Sequence, residues 1–140
     1  MKKIQKKRLL IGVIIAIMGG IILFYLNHKV QLEKQAELER NREYEVSLVN
    51  ALKNSYKGIE EIRITNPNYT MPPGSWSCDV MIIFEDGENV MYRIGHSLHE
   101  TQNYHGSRQS DEDWEYLEEH KGQTINEVKV LYSNSTEGEQ

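Results

Sequence analysis

Hydrophobic positions follow three different rhythms along this chain, and each rhythm predicts a different element. Residues 9–26 carry no charge at all. At about 1.5 Å per residue such a run makes a helix of roughly 27 Å, close to the thickness of a bilayer's hydrocarbon core. Residues 29–56 are rich in Glu, Lys, Arg, Gln, Leu and Ala, all strong helix formers, with no Gly or Pro before Gly58. The stretch 27–43 is polar nearly all round, which suits a solvated helical stalk. Tyr44, Leu48, Val49, Leu52 and Tyr56 then recur at steps of three and four, an apolar stripe that needs a sheet to cover it.

After Gly58 the period becomes two. Ile62 and Ile64 alternate with Glu61, Arg63 and Thr65, a half-buried strand ended by Asn66-Pro67-Asn68, and Met71-Pro72-Pro73-Gly74 makes a rigid turn. In the next strand Trp76, Cys78, Val80, Ile82 and Phe84 occupy one face, and Val90, Tyr92 and Ile94 resume the pattern after Asp86-Gly87. For both sets to share a face, the connecting loop must hold an odd number of residues. A three-residue loop Glu85-Asp86-Gly87, with Gly in the left-handed position, places Asp79 opposite Arg93 and Trp76 opposite His96. A five-residue loop would set Cys78 against His96 instead.

Ser110 caps a second helix whose first turn holds Asp111, Glu112 and Asp113, with Trp114 and Leu117 facing inward and Lys121-Gly122 at its end. Val128, Val130 and Tyr132 form a last strand, and residues 133–140 read as a flexible tail. The expected fold is α+β, in the order α-β-β-β-α-β, with an antiparallel sheet packed on the long helix. Its parts are a basic tip over 1–8, a transmembrane helix over 9–26, a polar stalk over 27–43, an α+β domain over 44–132 and the tail.

Charge orients these parts. Lys2, Lys3, Lys6, Lys7 and Arg8 precede the apolar run, leaving eleven of the 16 Lys+Arg against all 21 Asp+Glu beyond it. The basic bias holds the N-terminus in the cytoplasm and puts the acidic domain outside the cell. A domain so acidic has no basic stripe for phosphates, which excludes a nucleic-acid role. Phe24-Tyr25-Leu26-Asn27 contains no small-residue cleavage site, so the run reads as an uncleaved single-pass signal-anchor with Tyr25 at the outer interface. Gly12, Ala16 and Gly20 recur every four residues, a face on which a second membrane helix, including another copy of this one, can pack closely.

The strings Pro73-Gly74-Ser75-Trp76, Ile83-Phe84-Glu85-Asp86-Gly87, Asp113-Trp114-Glu115-Tyr116-Leu117 and Val130-Leu131-Tyr132-Ser133-Asn134, behind a Lys-rich signal-anchor, resemble the small membrane-anchored extracytoplasmic proteins of unknown function in low-GC Gram-positive bacteria. The helix-then-sheet order is also similar to that of cystatin-like modules, a likeness of topology alone.

Three places carry candidate chemistry. Residues 95–109 form a polar stretch containing His96, His99, Glu100 and His105, which are suitable zinc donors but lack the His-Glu-x-x-His spacing of helical metalloprotease sites. Cys78 falls on the inward side of its strand, where a thiol packs rather than reacts. Tyr69, Met71, Pro72, Pro73 and Trp76 join aromatic surface to a stiff backbone, and with His99 and Tyr104 they are the candidate partner-binding residues. No phosphate-cradling Gly loop, Ser-His-Asp order or paired CxxC is present. The expectation is a non-catalytic, cofactor-free module that binds other envelope or membrane proteins. The competing reading is a zinc-dependent extracytoplasmic hydrolase using His96, His99 and His105.

Overall fold

The computed structural model describes residues 2–103 and 110–140. Its elements are α1 (Lys2–Ser55), β1 (Ile59–Thr70), β2 (Ser75–Phe84), β3 (Asn89–His96), α2 (Asp111–Glu119), β4 (Lys129–Leu131) and β5 (Glu137–Glu139). The chain divides into two compact units, the first ending at Leu38 and the second comprising Glu39–Gln140. In the first unit the described residues are helical, and the apolar side chains of residues 9–26 are exposed. This segment makes α1 long and apolar enough to span a membrane.

The second unit is α+β. One face of a five-stranded sheet, ordered β3-β2-β1-β4-β5, is covered by the last turns of α1 and by α2. Leu48, Val49, Leu52 and Tyr56 supply the helical side of the core, as their spacing predicts. Burial alternates without a break along β2, with Trp76, Cys78, Val80, Ile82 and Phe84 inside. At roughly 1.5–3 kcal/mol for each large apolar side chain removed from water, this face is the main source of the unit's stability.

Of the two odd-length loops that parity allows, the β2–β3 hairpin has the three-residue one, Glu85-Asp86-Gly87. Phe84 N–H donates to Glu88 O at 2.9 Å, Gly87 adopts φ +87°, and Trp76 stands opposite His96 as Asp79 does opposite Arg93. Tyr116 of α2 donates its hydroxyl to Asp86 Oδ2 at 2.7 Å and so ties the loop to the helix. Ser110 caps α2, accepting from Asp113 N–H at 3.2 Å.

Five expectations are corrected. The sheet is mixed rather than antiparallel, because β4 runs parallel to β1. The cause is a clamp at the end of α2: Lys57 N–H donates to His120 O, Tyr56 bridges to Lys121, and Thr124 Oγ1 accepts from Ile59 N–H. The chain therefore leaves α2 beside the start of β1 and runs in the same direction. The strand read as ending at Asn66-Pro67-Asn68 continues to Thr70, since a register shift between Thr65 and Asn68, with Asn66 at φ 51°, absorbs the proline that cannot donate to the ladder. Residues 133–140 are not a flexible tail: β5 pairs with β4, and Gln140 exchanges backbone hydrogen bonds with Val128. The compact unit begins at Glu39 rather than residue 44, because Asn41 of the supposed stalk is already buried. Trp114 does not face inward; it is 49% exposed, whereas Leu117 is buried as expected.

Candidate functional site

The tip of the β1–β2 hairpin is built on an aromatic stack. Tyr69 and Trp76 are cross-strand partners, and residues 71–74 form the turn between them, closed by Gly74 N–H donating to Thr70 O at 2.8 Å. Gly74 has φ +80°, and a Cβ there would lie 3.3 Å from the Tyr69 hydroxyl oxygen, so a side chain would be strained both by backbone and by contact. Tyr44 of α1 stacks on Trp76 with centroids 5.2 Å apart and meets Tyr69 at 6.1 Å. Arg40 places its guanidinium 4.2 Å from the Tyr69 ring centre, a cation–π contact, and the Tyr69 hydroxyl donates to Met71 Sδ at 3.2 Å.

This stack fixes the base of the turn and leaves its tip outside. Trp76 itself is only 2% exposed and donates its indole N–H to Asn41 Oδ1 at 3.1 Å, so it supports the surface rather than forming it. Met71, Pro72 and Pro73 are exposed, Met71 at 71%. His99 is also exposed, in the turn that follows β3, while Tyr104 and His105 lie outside the described residues. Of the partner-binding set, the structure therefore gathers Tyr69, Met71, Pro72, Pro73 and Trp76 into one hairpin end.

His96 is held differently. Its side chain is buried, Nε2 lies 2.8 Å from Ser47 Oγ, and Nδ1 faces Glu100 Oε2 at 3.8 Å. Burial pulls the imidazole from its ordinary range to about 4, so it is neutral at pH 7. Ser47 and Glu100 line a cleft of about 660 Å³ together with Glu43, Asn50, Leu98 and Thr101. The order serine, histidine, carboxylate invites comparison with a nucleophile and its base, yet the chemistry is poorly matched. An imidazole this weakly basic takes a proton from serine with little driving force. The carboxylate stands beyond hydrogen-bond distance. Ser47 also sits inside α1, where backbone N–H groups belong to the helix and are not available to stabilise an oxyanion. The arrangement satisfies a buried histidine through a serine from the helix above it. Among the described residues no group of three His, Cys, Asp or Glu side chains is placed to hold a metal ion.

Cys78 is fully buried, and burial, with the charges of Glu45 and Asp79, pushes its thiol well above the usual range. Gly12, Ala16 and Gly20 are exposed on α1. Sequence reasoning missed Ser47, Asn41 and Glu45, three polar residues inside a helical stretch. Glu45 is 2% exposed and accepts from Ser133 N–H at 2.7 Å. Their position one helical turn apart from the apolar stripe was the available signal. No protein-family model, curated protein or solved structure matches this chain.

Proposed function

We propose that this chain is a single-pass membrane protein that presents its α+β unit on the extracytoplasmic side and acts there by binding other envelope or membrane proteins, without catalysis. The observation that carries the contact is the exposed tip Met71-Pro72-Pro73 on its fixed aromatic base. Preorganisation lowers the entropy lost on association, and an exposed methionine beside two prolines offers apolar area on a stiff backbone. The anchor is supported by the uncharged residues 9–26 in α1, and the orientation by the five basic residues ahead of them. Gly12, Ala16 and Gly20 provide the face for self-association within the bilayer. The non-catalytic part of the reading draws on the weak basicity of His96 and the helical setting of Ser47.

A photo-crosslinking amino acid at Met71, introduced into the full chain in intact cells, should trap a discrete protein partner, while the same group at exposed Glu112 should not. Equal products from both positions would remove the hairpin tip from the contact. Protease added to intact protoplasts should digest the region after residue 27 and spare the N-terminus. Digestion only after lysis would reverse the orientation.

A further inference from the structure

The cleft beside Trp114 is a second surface of distinct chemistry. Its volume is about 620 Å³, within the range of small-molecule sites, and it lies between the end of α1, the turn after β3 and α2. Trp114, Asn54, Gln102, Asn103, Glu118 and Gln123 line it. Among the described lining residues Trp114 is the exposed large hydrophobic side chain, and at the wall of a cleft of this size its indole offers a flat apolar face on which a ligand ring can stack.

The polar groups around it are fixed. Asn103 gives its amide N–H groups to Tyr56 Oη at 3.2 Å and Tyr92 Oη at 3.0 Å, while its backbone N–H donates to Ser55 Oγ at 2.7 Å. Asn54 is held through Thr101 O at 3.0 Å. With both of its amide N–H groups so engaged, Asn103 offers its carbonyl oxygen as an acceptor, while Asn54, with one N–H held by Thr101 O, keeps a second N–H as well as its carbonyl oxygen for a hydroxyl group. Glu118 is paired with Lys121 at 2.9 Å, so the cleft carries no unbalanced charge. A charged ligand gains little there, and a phosphate would meet the acidic balance of the domain.

We propose that this cleft binds a neutral oligosaccharide, with the apolar face of one pyranose ring on the Trp114 indole and its hydroxyls on the surrounding amides. One aromatic platform ringed by amide and carboxylate groups matches a ring that is apolar on its face and polar at its edge. The site does not depend on the hairpin tip or on the membrane assignment.

The test uses the full chain in a detergent without a sugar headgroup. Of the two tryptophans, Trp76 is buried and Trp114 is exposed, so the iodide-quenchable emission reports Trp114. Triacetylchitotriose or cellotriose, added up to about 10 mM, should shift that emission saturably to the blue and protect it from iodide. Gln123→Ala, which leaves the fluorophore in place, should weaken the response about tenfold or more. Trp114→Ala should keep the native circular dichroism and lose retention on immobilised triacetylchitotriose. Iodide-inaccessible Trp114 in the free protein, no saturable change with either trisaccharide, or retention unchanged in Trp114→Ala would each overturn the proposal. A response to adenosine with none to the trisaccharides would assign the platform to a nucleobase instead and would also overturn it.

Discussion

Ser47 Oγ lies 2.8 Å from His96 Nε2, joining the C-terminal part of α1 to the last residue of β3 across the covered face of the sheet. The burial around this bond favours the neutral form of His96 in the folded chain. Because its folded value lies near 4, below the ordinary value of about 6.5, the unfolded chain binds the extra proton first. Stability should therefore be full above about pH 6.5 and fall as the pH drops toward 4, by up to about 3 kcal/mol at about 1.4 kcal/mol per pKa unit. Urea denaturation of the native chain and of His96→Gln between pH 4 and 7 measures the difference. Parallel curves would show that His96 does not carry the proton linkage.

Asn41 should be worth more than its place in a polar stretch suggests. Asn41→Ala leaves the buried indole N–H of Trp76 without its acceptor and should cost about 1–3 kcal/mol. Trp76→Phe in the same background should add less than it does alone, giving a coupling of about 1 kcal/mol in a double-mutant cycle. Simple additivity would disconnect the two residues.

Cys78 should be inert in the native state. A maleimide should label it slowly until denaturant is added, because the side chain is buried and its thiolate is disfavoured. Cys78→Ser should destabilise by roughly 1–3 kcal/mol by burying a hydroxyl, and Cys78→Ala by less. Rapid native labelling together with a neutral Cys78→Ser would invert the face assignment of β2.

The C-terminal strand should contribute to the stability of the fold. Besides its ladder to β4, Gln140 accepts from Lys53 Nζ at 2.8 Å and from the Tyr132 hydroxyl at 2.8 Å, and donates to Val46 O at 3.2 Å. Removing residues 137–140 should cost about 2 kcal/mol or more and lower Tm by roughly 8 °C or more. A truncated chain melting at the native temperature would return this segment to a loose end.

Local sequence pattern determined the core face of α1 and β2, an odd number of residues in the β2–β3 loop, the cap at Ser110 and an apolar segment of membrane-spanning length, while the choice of three residues over five, and with it the register, is settled in the folded hairpin. These are local properties: a period of 3.6 or 2, a glycine where φ must be positive, a hydroxyl at a helix start. What lay beyond it were relations between distant segments. Whether β4 runs with or against β1 depends on where α2 is clamped, at Tyr56–Lys121 and Ile59–Thr124. Residues 137–139 have no apolar alternation, and only the available edge of β4 makes them a strand. Asn41 looks like solvated stalk, and Glu45 and Ser47 like polar positions beside the apolar stripe, until Trp76, the Ser133 backbone and His96 are brought to them. Trp114 shows the converse: its helical position allowed an inward reading, and the packing of Leu117 and Tyr116 against the sheet turned it outward. Local pattern fixes which side chains seek cover, while tertiary packing decides what covers them and which polar groups it must satisfy.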